Sequence, residues 1–216
     1  MNFINKNNLI KLFTLSIILI CFLSCKKDES EPTLQETEYD TFFNLHASQQ
    51  GGQGTGQEIS GTFTKFDFST AQTTTSITEW DIAFRATTII VNGGVSLETI
   101  DEPTRTGNSA VYIANGTMSS VTDVDLMSLT QDSSNGYAVP TGGGNGWYTY
   151  QGPPVNLISP TPGKILVFRT NDGKYAKMEI LSYYKDAPEN PDAYTDETRY
   201  YTFNFVYQPN EGVTSF

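Results

Sequence analysis

The chain has 216 residues, with 13 Lys and Arg against 24 Asp and Glu and a net charge of -11. That balance repels phosphate backbones and anionic lipid surfaces, which excludes nucleic acid as a partner class. The two cysteines, Cys21 and Cys25, lie near the N-terminus, so the rest of the chain has no disulfide, no thiolate metal site and no cysteine nucleophile, and an apolar core must hold it together.

In chain order, Lys6 and Lys11 form a sparse basic region and Leu12 to Phe22 an uncharged apolar run. The run is too short to cross a bilayer comfortably and reads as a secretion signal. Leu23-Ser24-Cys25 closes it and resembles the lipobox of bacterial lipoproteins. The resemblance implies that residues 1–24 are a signal peptide and that Cys25 becomes the lipid-bearing first residue of the mature protein. An ordinary signal with a chance cysteine, or an uncleaved anchor, is the plainer alternative. Lys26-Lys27-Asp28-Glu29-Ser30-Glu31 is similar to the export signal of Bacteroidetes lipoproteins, which implies the outer face of the outer membrane; its plain reading is a solvated tether. A lipid anchor suffices to hold a domain there, since each buried methylene contributes about 0.8 kcal/mol. Loss of the signal leaves 11 basic and 24 acidic residues, a net charge of -13. Residues 25–38 are the lipidated cysteine and a polar, flexible tether with Pro32 and four glutamates, and residues 39–216 form one domain.

The domain is rich in Thr, Tyr, Phe, Val and Ile and poor in Ala, Leu and Lys, which favours strands. The glycine-rich run Gly51 to Gly56 is a loop; it lacks the strand-helix setting and the Lys-Ser/Thr ending of a phosphate-binding loop. Alternation with a period of two predicts a strand over Thr62–Phe68 with Phe66 and Phe68 on one face, and another over Trp80–Phe84 with Trp80, Ile82 and Phe84 together. Lys164–Thr170 and Lys174–Tyr184 flank Asn171-Asp172-Gly173 as a hairpin, with Ala176, Met178 and Ile180 inward and Lys177 and Glu179 outward. Tyr201, Phe203, Phe205 and Tyr207 share one face of a last strand. No segment carries a capped helical stripe, so the fold class is all-β, a single antiparallel β domain.

Catalytic signals are thin. Asp123, Asp125 and Asp132 do not have the spacing of a calcium loop. The lone histidine of the mature chain, His46, has no Gly-x-Ser-x-Gly elbow to serve, and no pair of carboxylates stands out for glycoside hydrolysis. Trp80-Asp81 reads as a packing device, His46 as a surface or locally hydrogen-bonded imidazole, and Met127, between Leu126 and Leu129, as core filler. The protein is expected not to be an enzyme.

Three groups of residues, in order, resemble the HmuY family of haem-binding surface lipoproteins. They are Trp80-Asp81-Ile82-Ala83-Phe84-Arg85 with Asn92-Gly93-Gly94, then Gly146-Trp147 with Gly152-Pro153, then Asp172 to Ile180 continuing to Tyr183-Tyr184. The resemblance implies a hand-shaped all-β fold whose projecting strand pairs form a ligand groove. It implies haem as the ligand, host haemoproteins as its source and an outer-membrane TonB-dependent receptor as the next carrier. The family's founding pattern grips the iron with two histidines. Here the first position falls within Asp123 to Gly144, which holds Met127 and Tyr137, and the second falls at Tyr150 or Gln151, so a bis-histidine site within one chain is impossible. By the resemblance the haem-binding candidates are Met127, Tyr150, Tyr148, Gln151 and Tyr137. A thioether is a legitimate haem ligand, and a tyrosine either ligates ferric iron or stacks on the macrocycle. On the residues alone, Tyr148 and Tyr150 are equally strand aromatics facing a groove or solvent. The expected function is therefore a surface-anchored haem or porphyrin binder for iron acquisition; the alternative is the same scaffold binding a protein or glycan with haem binding lost.

Replacing Cys25 by Ala is expected to abolish palmitate labelling and leave the β domain folded, because the tether adds nothing to the core. Deleting Lys26 to Glu29 is expected to move the lipidated protein from protease-accessible to protease-shielded in intact cells.

Overall fold

The last strand organises the domain. In the computed structural model, which describes residues 33–216, the chain from Gln35 onward forms one compact unit, and no helix occurs among the described residues. The signal segment, Cys25 and most of the tether lie outside the described residues. Strand β13 (Thr198–Gln208) pairs with β1 (Glu38–His46) on one side and β12 (Tyr175–Tyr184) on the other. With β11 (Lys164–Arg169) and β8 (Ala110–Asn115) they make an antiparallel sheet of order β1-β13-β12-β11-β8. Ahead of β1, Gln35 exchanges hydrogen bonds with the Asn210 side chain.

A second antiparallel sheet has the order β5-β4-β6-β7, from β4 (Thr64–Asp67), β5 (Gln72–Thr74), β6 (Ile82–Arg85) and β7 (Thr88–Val91). Two short ladders stand apart from both sheets: β2 (Gln50–Gly52) with β3 (Gln57–Ser60), and β9 (Tyr148–Gln151) with β10 (Leu157–Pro160). The glycine run is thus the turn of a hairpin. At Gly51, with φ +67°, a Cβ would lie 2.0 Å from the Glu58 carbonyl oxygen, so only glycine fits.

The main core lies between the facing sides of the two sheets. Phe66, Phe68, Ile82, Phe84, Ile89 and Val91 come from one sheet, and Leu166, Phe168, Ala176, Met178, Phe203 and Phe205 from the other. The expected inward faces of the hairpin and of β13 are the faces found. Ring contacts across the layer are mostly edge-on or tilted, such as Phe66 to Phe203 at 5.3 Å and 86° and Phe68 to Phe168 at 5.2 Å and 41°, with Phe84 stacked on Phe203 at 6.0 Å and 16°. Such pairs add about 0.5–1.5 kcal/mol each beyond the area they bury.

Two expected orientations are corrected. Trp80 does not join Ile82 and Phe84; its indole packs with Phe63, Ala83 and Ile90 on the opposite face of the second sheet. The strand begins only at Ile82, and the irregular backbone ahead of it, with Trp80 Nε1 donating to the Ile77 carbonyl at 3.3 Å, breaks the alternation. Lys177 is outward on its strand but not in solvent. The segment around Val121 and Val124 covers that face, together with Ile165, Val167 and Tyr175. Lys177 is buried there, and its Nζ donates to the Met118 and Val121 carbonyls, both at 2.7 Å, beside the Phe216 ring.

Asp81 joins the two sheets. It is buried; its Oδ2 accepts from the Phe68 amide at 2.8 Å and its Oδ1 from the Asn171 amide at 2.6 Å, in the turn between β11 and β12. Asn92 locks the neighbouring loops: its Nδ2 donates to the Thr78 and Trp80 carbonyls, and its Oδ1 accepts from the Thr106 and Gly107 amides. Burial pushes the Asp81 carboxyl up to about 7 against the pull of its two amide donors, with Asp67 and Asp172 adding to the rise. The folded state therefore holds this proton more tightly than the unfolded chain. The resulting stability is full below the ordinary value of 3.8 and is lost as pH rises through about 7. Asp81→Asn turns an amide toward one of the two donors and is expected to cost about 1–3 kcal/mol. In urea melts the parent is expected to lose stability between about pH 4 and pH 7 and the variant to lack that fall; an unchanged slope would assign the fall to other groups.

Candidate functional site

The β9–β10 ladder grows from the Gly146-Trp147 step. Trp147 is fully buried, its Nε1 donating to the Thr87 carbonyl at 3.0 Å in the β6–β7 turn. Tyr148 follows into the core with its ring 4.9 Å from the indole. Two residues on, Tyr150 faces Ile158 across the ladder and is 50% exposed. The Ile158 amide donates to Tyr184 Oη at 3.1 Å, which ties the ladder to β12. On the other side, the Gly144 amide donates to the Tyr148 carbonyl at 2.8 Å.

A polar relay runs outward from Tyr150. Its hydroxyl donates to Asn156 Oδ1 at 2.6 Å, Asn156 Nδ2 donates to Tyr194 Oη at 2.6 Å, and the Tyr194 hydroxyl donates to the Pro154 carbonyl. Beside it lies a cleft of about 390 Å³ between the ladder, at Val155 and Leu157, and the segment from Asn190 to Tyr194. The ladder thus presents one half-exposed tyrosine, one apolar wall and a pinned amide. Gln151, at the end of β9, is exposed and faces Leu157.

The other candidates lie elsewhere. Tyr137 packs against the outer face of the second sheet, and its hydroxyl donates to Glu102 Oε2 at 3.0 Å. Glu102 and Asp132 both pair with Arg105, at 2.7 and 2.8 Å, with all three side chains buried. Asp132 also accepts from the Val91 and Ala138 amides. Burial and the neighbouring Glu102 raise the Tyr137 pKa, so a phenolate is disfavoured there.

Met127 overturns the reading as core filler: it is 93% exposed. The cause is local. Asp125 accepts from the Met127 amide at 3.0 Å and from Ser128 Oγ at 2.7 Å, closing a tight turn that points Met127 outward, while Val124 and Leu129 on either side do the packing. The Asp125 amide in turn donates to Tyr112 Oη. An isolated, unbranched thioether at full exposure is free for a ligand. The structure does not join Met127 to Tyr150. The segment carrying Met127 packs on the outer face of the five-stranded sheet, whereas Tyr148 and the root of β9 belong to the core on its inner face. His46 stacks on Tyr200 at 4.4 Å and 9°, on the strand edge, away from all of these.

Among the described residues, no group of three or more His, Cys, Asp or Glu side chains is placed to hold a metal ion. Asp123 bonds Thr122 Oγ1 at the surface while Asp132 is spent on Arg105, so the acids that are close in sequence do not converge. Sequence reasoning missed Arg105, Glu102 and the burial of Lys177. No local pattern marks them, because their partners are carbonyls, amides and acids from other segments.

Comparison with known proteins gives one family. Solved structures resemble the chain only distantly. An apo HmuY analogue of Tannerella forsythia is 14% identical with a TM-score of 0.48, over 82% of this chain and 99% of that one. A Bacteroides vulgatus protein described as HmuY-like and heme-binding is 13% identical with a TM-score of 0.46, over 82% and 97%. A Bacteroides fragilis protein described as a lipoprotein is 14% identical with a TM-score of 0.45, over 81% and 92%. No curated protein matches. The family model for HmuY protein matches residues 60–205, a stretch that contains the Asp81 clamp, the Gly-Trp root of the β9–β10 ladder and the β11–β12 hairpin; the chain belongs to the HmuY family.

Proposed function

We propose that the protein is a surface-anchored lipoprotein that binds haem or a related porphyrin for iron acquisition, and that it is not an enzyme. The observation that carries this reading is the HmuY family match across residues 60–205. The lipobox-like Leu23-Ser24-Cys25 supports the anchor, and the charged run after it supports the cell surface of the outer membrane. Host haemoproteins are then the source of the haem and a TonB-dependent receptor is the acceptor.

The donor set fits haem iron in a changed form. With no histidine pair, the candidates best exposed are the thioether of Met127 and the half-exposed phenol of Tyr150, whose hydroxyl would have to give up its bond to Asn156 to ligate. They sit on segments attached to opposite faces of the five-stranded sheet, so we take them as alternative ligands, not partners. Tyr148, on the same strand face as Tyr150 but buried in the core, would support Tyr150 from below, and Gln151 projects from the opposite face of the ladder. Tyr137, bonded to Glu102, is the weakest of the five candidates.

The redox state of the haem decides between the two donors. A soft thioether favours ferrous iron and an anionic phenolate favours ferric iron. Titration with haemin, followed at the Soret band before and after dithionite reduction, is expected to show tighter binding after reduction if Met127 ligates and before it if Tyr150 does. Met127→Ala should weaken ferrous binding without a change in melting temperature, since an exposed side chain leaves no cavity. Tyr150→Phe should weaken ferric binding. No Soret shift in either redox state would end the haem reading.

One observation favours a second reading, a protein-binding surface on the same scaffold. Tyr39 and Phe43 are exposed on β1, the edge strand of the larger sheet, which is the arrangement a partner strand or an apolar surface would use.

A further inference from the structure

Arg85, the last residue of β6, is 4% exposed; among the described residues no carboxylate is in ion-pair contact with it, and the nearby Asp101 and Glu102 act on its charge only from farther off. Its Nη1 donates to the Gly61 carbonyl at 3.3 Å and the Ile100 carbonyl at 2.5 Å, and its Nη2 to Thr99 Oγ1 at 3.0 Å. The guanidinium carbon sits 4.2 Å above the Phe63 ring. None of these bonds uses Nε, so part of the five-donor fork is unspent. The ion pairs among the described residues belong to Arg105, Lys174 and Lys185. Glu102 is reached only through the Thr99 hydroxyl, and its oxygens already accept from Arg105, Leu97, Thr99 and Tyr137.

Arg105 shows what this protein does with a buried guanidinium that needs no ligand: it meets two buried carboxylates. Arg85 is buried as deeply and meets only neutral oxygens. A buried cation without a paired anion is costly, and a planar fork with free donors is matched to a carboxylate. The side chain is also at the wall of an open cleft of about 540 Å³, within the range of small-molecule sites. Ile59, Ile100 and Tyr137 supply apolar walls, and the first two are large apolar side chains left exposed. Glu58 and Glu98 stand at the rim, both exposed.

We propose that this cleft is a binding site for a small monocarboxylate with an apolar or aromatic body. The carboxylate pairs with Arg85 in place of the missing protein anion, and the body lies between Ile59 and Ile100. The two rim glutamates repel a second negative group, so the site selects one carboxylate over two. The site uses neither Met127 nor the β9–β10 ladder, and shares with the haem reading only Tyr137, the weakest of its five candidates.

The test is calorimetric titration of the protein with 3-phenylpropionate, 3-phenylpropanol, 3-phenylpropylamine and phenylsuccinate, which share one body and differ in charge. Saturable binding is expected for 3-phenylpropionate and not for the alcohol or the amine, with phenylsuccinate weaker than 3-phenylpropionate by about tenfold or more, the scale of a close like charge. Arg85→Met removes the buried hydrogen bonds that hold the end of β6, so the deciding variant is Ile59→Glu, a substitution at an exposed wall position. It should weaken 3-phenylpropionate by about tenfold or more at an unchanged melting temperature. Glu98→Gln should narrow the gap between phenylsuccinate and 3-phenylpropionate. Absence of saturable carboxylate binding, equal binding of the alcohol, or indifference to Ile59→Glu would overturn the proposal.

Discussion

The Asp81 carboxylate accepts one amide from each side of the molecule, Phe68 at the end of β4 and Asn171 in the β11–β12 turn, and this shared acceptor sets how the two sheets face each other. Both amides lie where a strand has ended and the ladder offers no partner, and without the carboxylate each would be a buried donor left open. The aromatic layer depends on the same placement. Phe68 meets Phe168 and Phe205 only because its backbone is held against the turn that follows β11. Asn92 and Asn171 then button the Thr78 loop onto this junction, so the loops near Trp80 are fixed by side-chain amides instead of by a ladder.

Buried cations show how the fold separates structure from candidate function. Lys177 is stabilised by two carbonyls and an aromatic ring, and it holds down the segment that leads to Met127. Arg105 is neutralised by Glu102 and Asp132 and fixes the loops that carry Tyr137. Arg85 has hydrogen bonds but no carboxylate in direct contact, and it is the one of the three at the wall of a large cleft, where an incoming anion could reach it.

The same contrast separates the haem candidates. Tyr148 and Tyr137 are used by the fold, one in the aromatic core and the other as a donor to Glu102. Met127 and Tyr150 are held by their backbones in a turn and a ladder with their side chains exposed, the thioether unengaged and the phenol bonded only to the surface amide of Asn156. A turn closed by Asp125 keeps an apolar side chain in water that a packing argument would have placed inside.

The sequence by itself determined the strands and most of their inward faces. Side chains alternate with the backbone, so Phe203, Phe205, Ala176 and Met178 could be assigned to one side of the sheet from local pattern, and Asn171-Asp172-Gly173 marked the hairpin because its glycine takes φ +82°. The ordered groups from Trp80 to Tyr184 were enough to indicate the family. Tertiary structure alone decided what covers each face and which charges have partners. Alternation says that Lys177 points away from the core but not that the segment around Val121 will lie over it. It predicts Trp80 inward because it assumes a regular strand where the chain is irregular. Nothing local distinguishes Arg85, which has no acid in contact, from Arg105, which has two, because Asp132 reaches Arg105 only through the folded chain. Burial and charge pairing are properties of segments brought together, and only the folded chain brings them together.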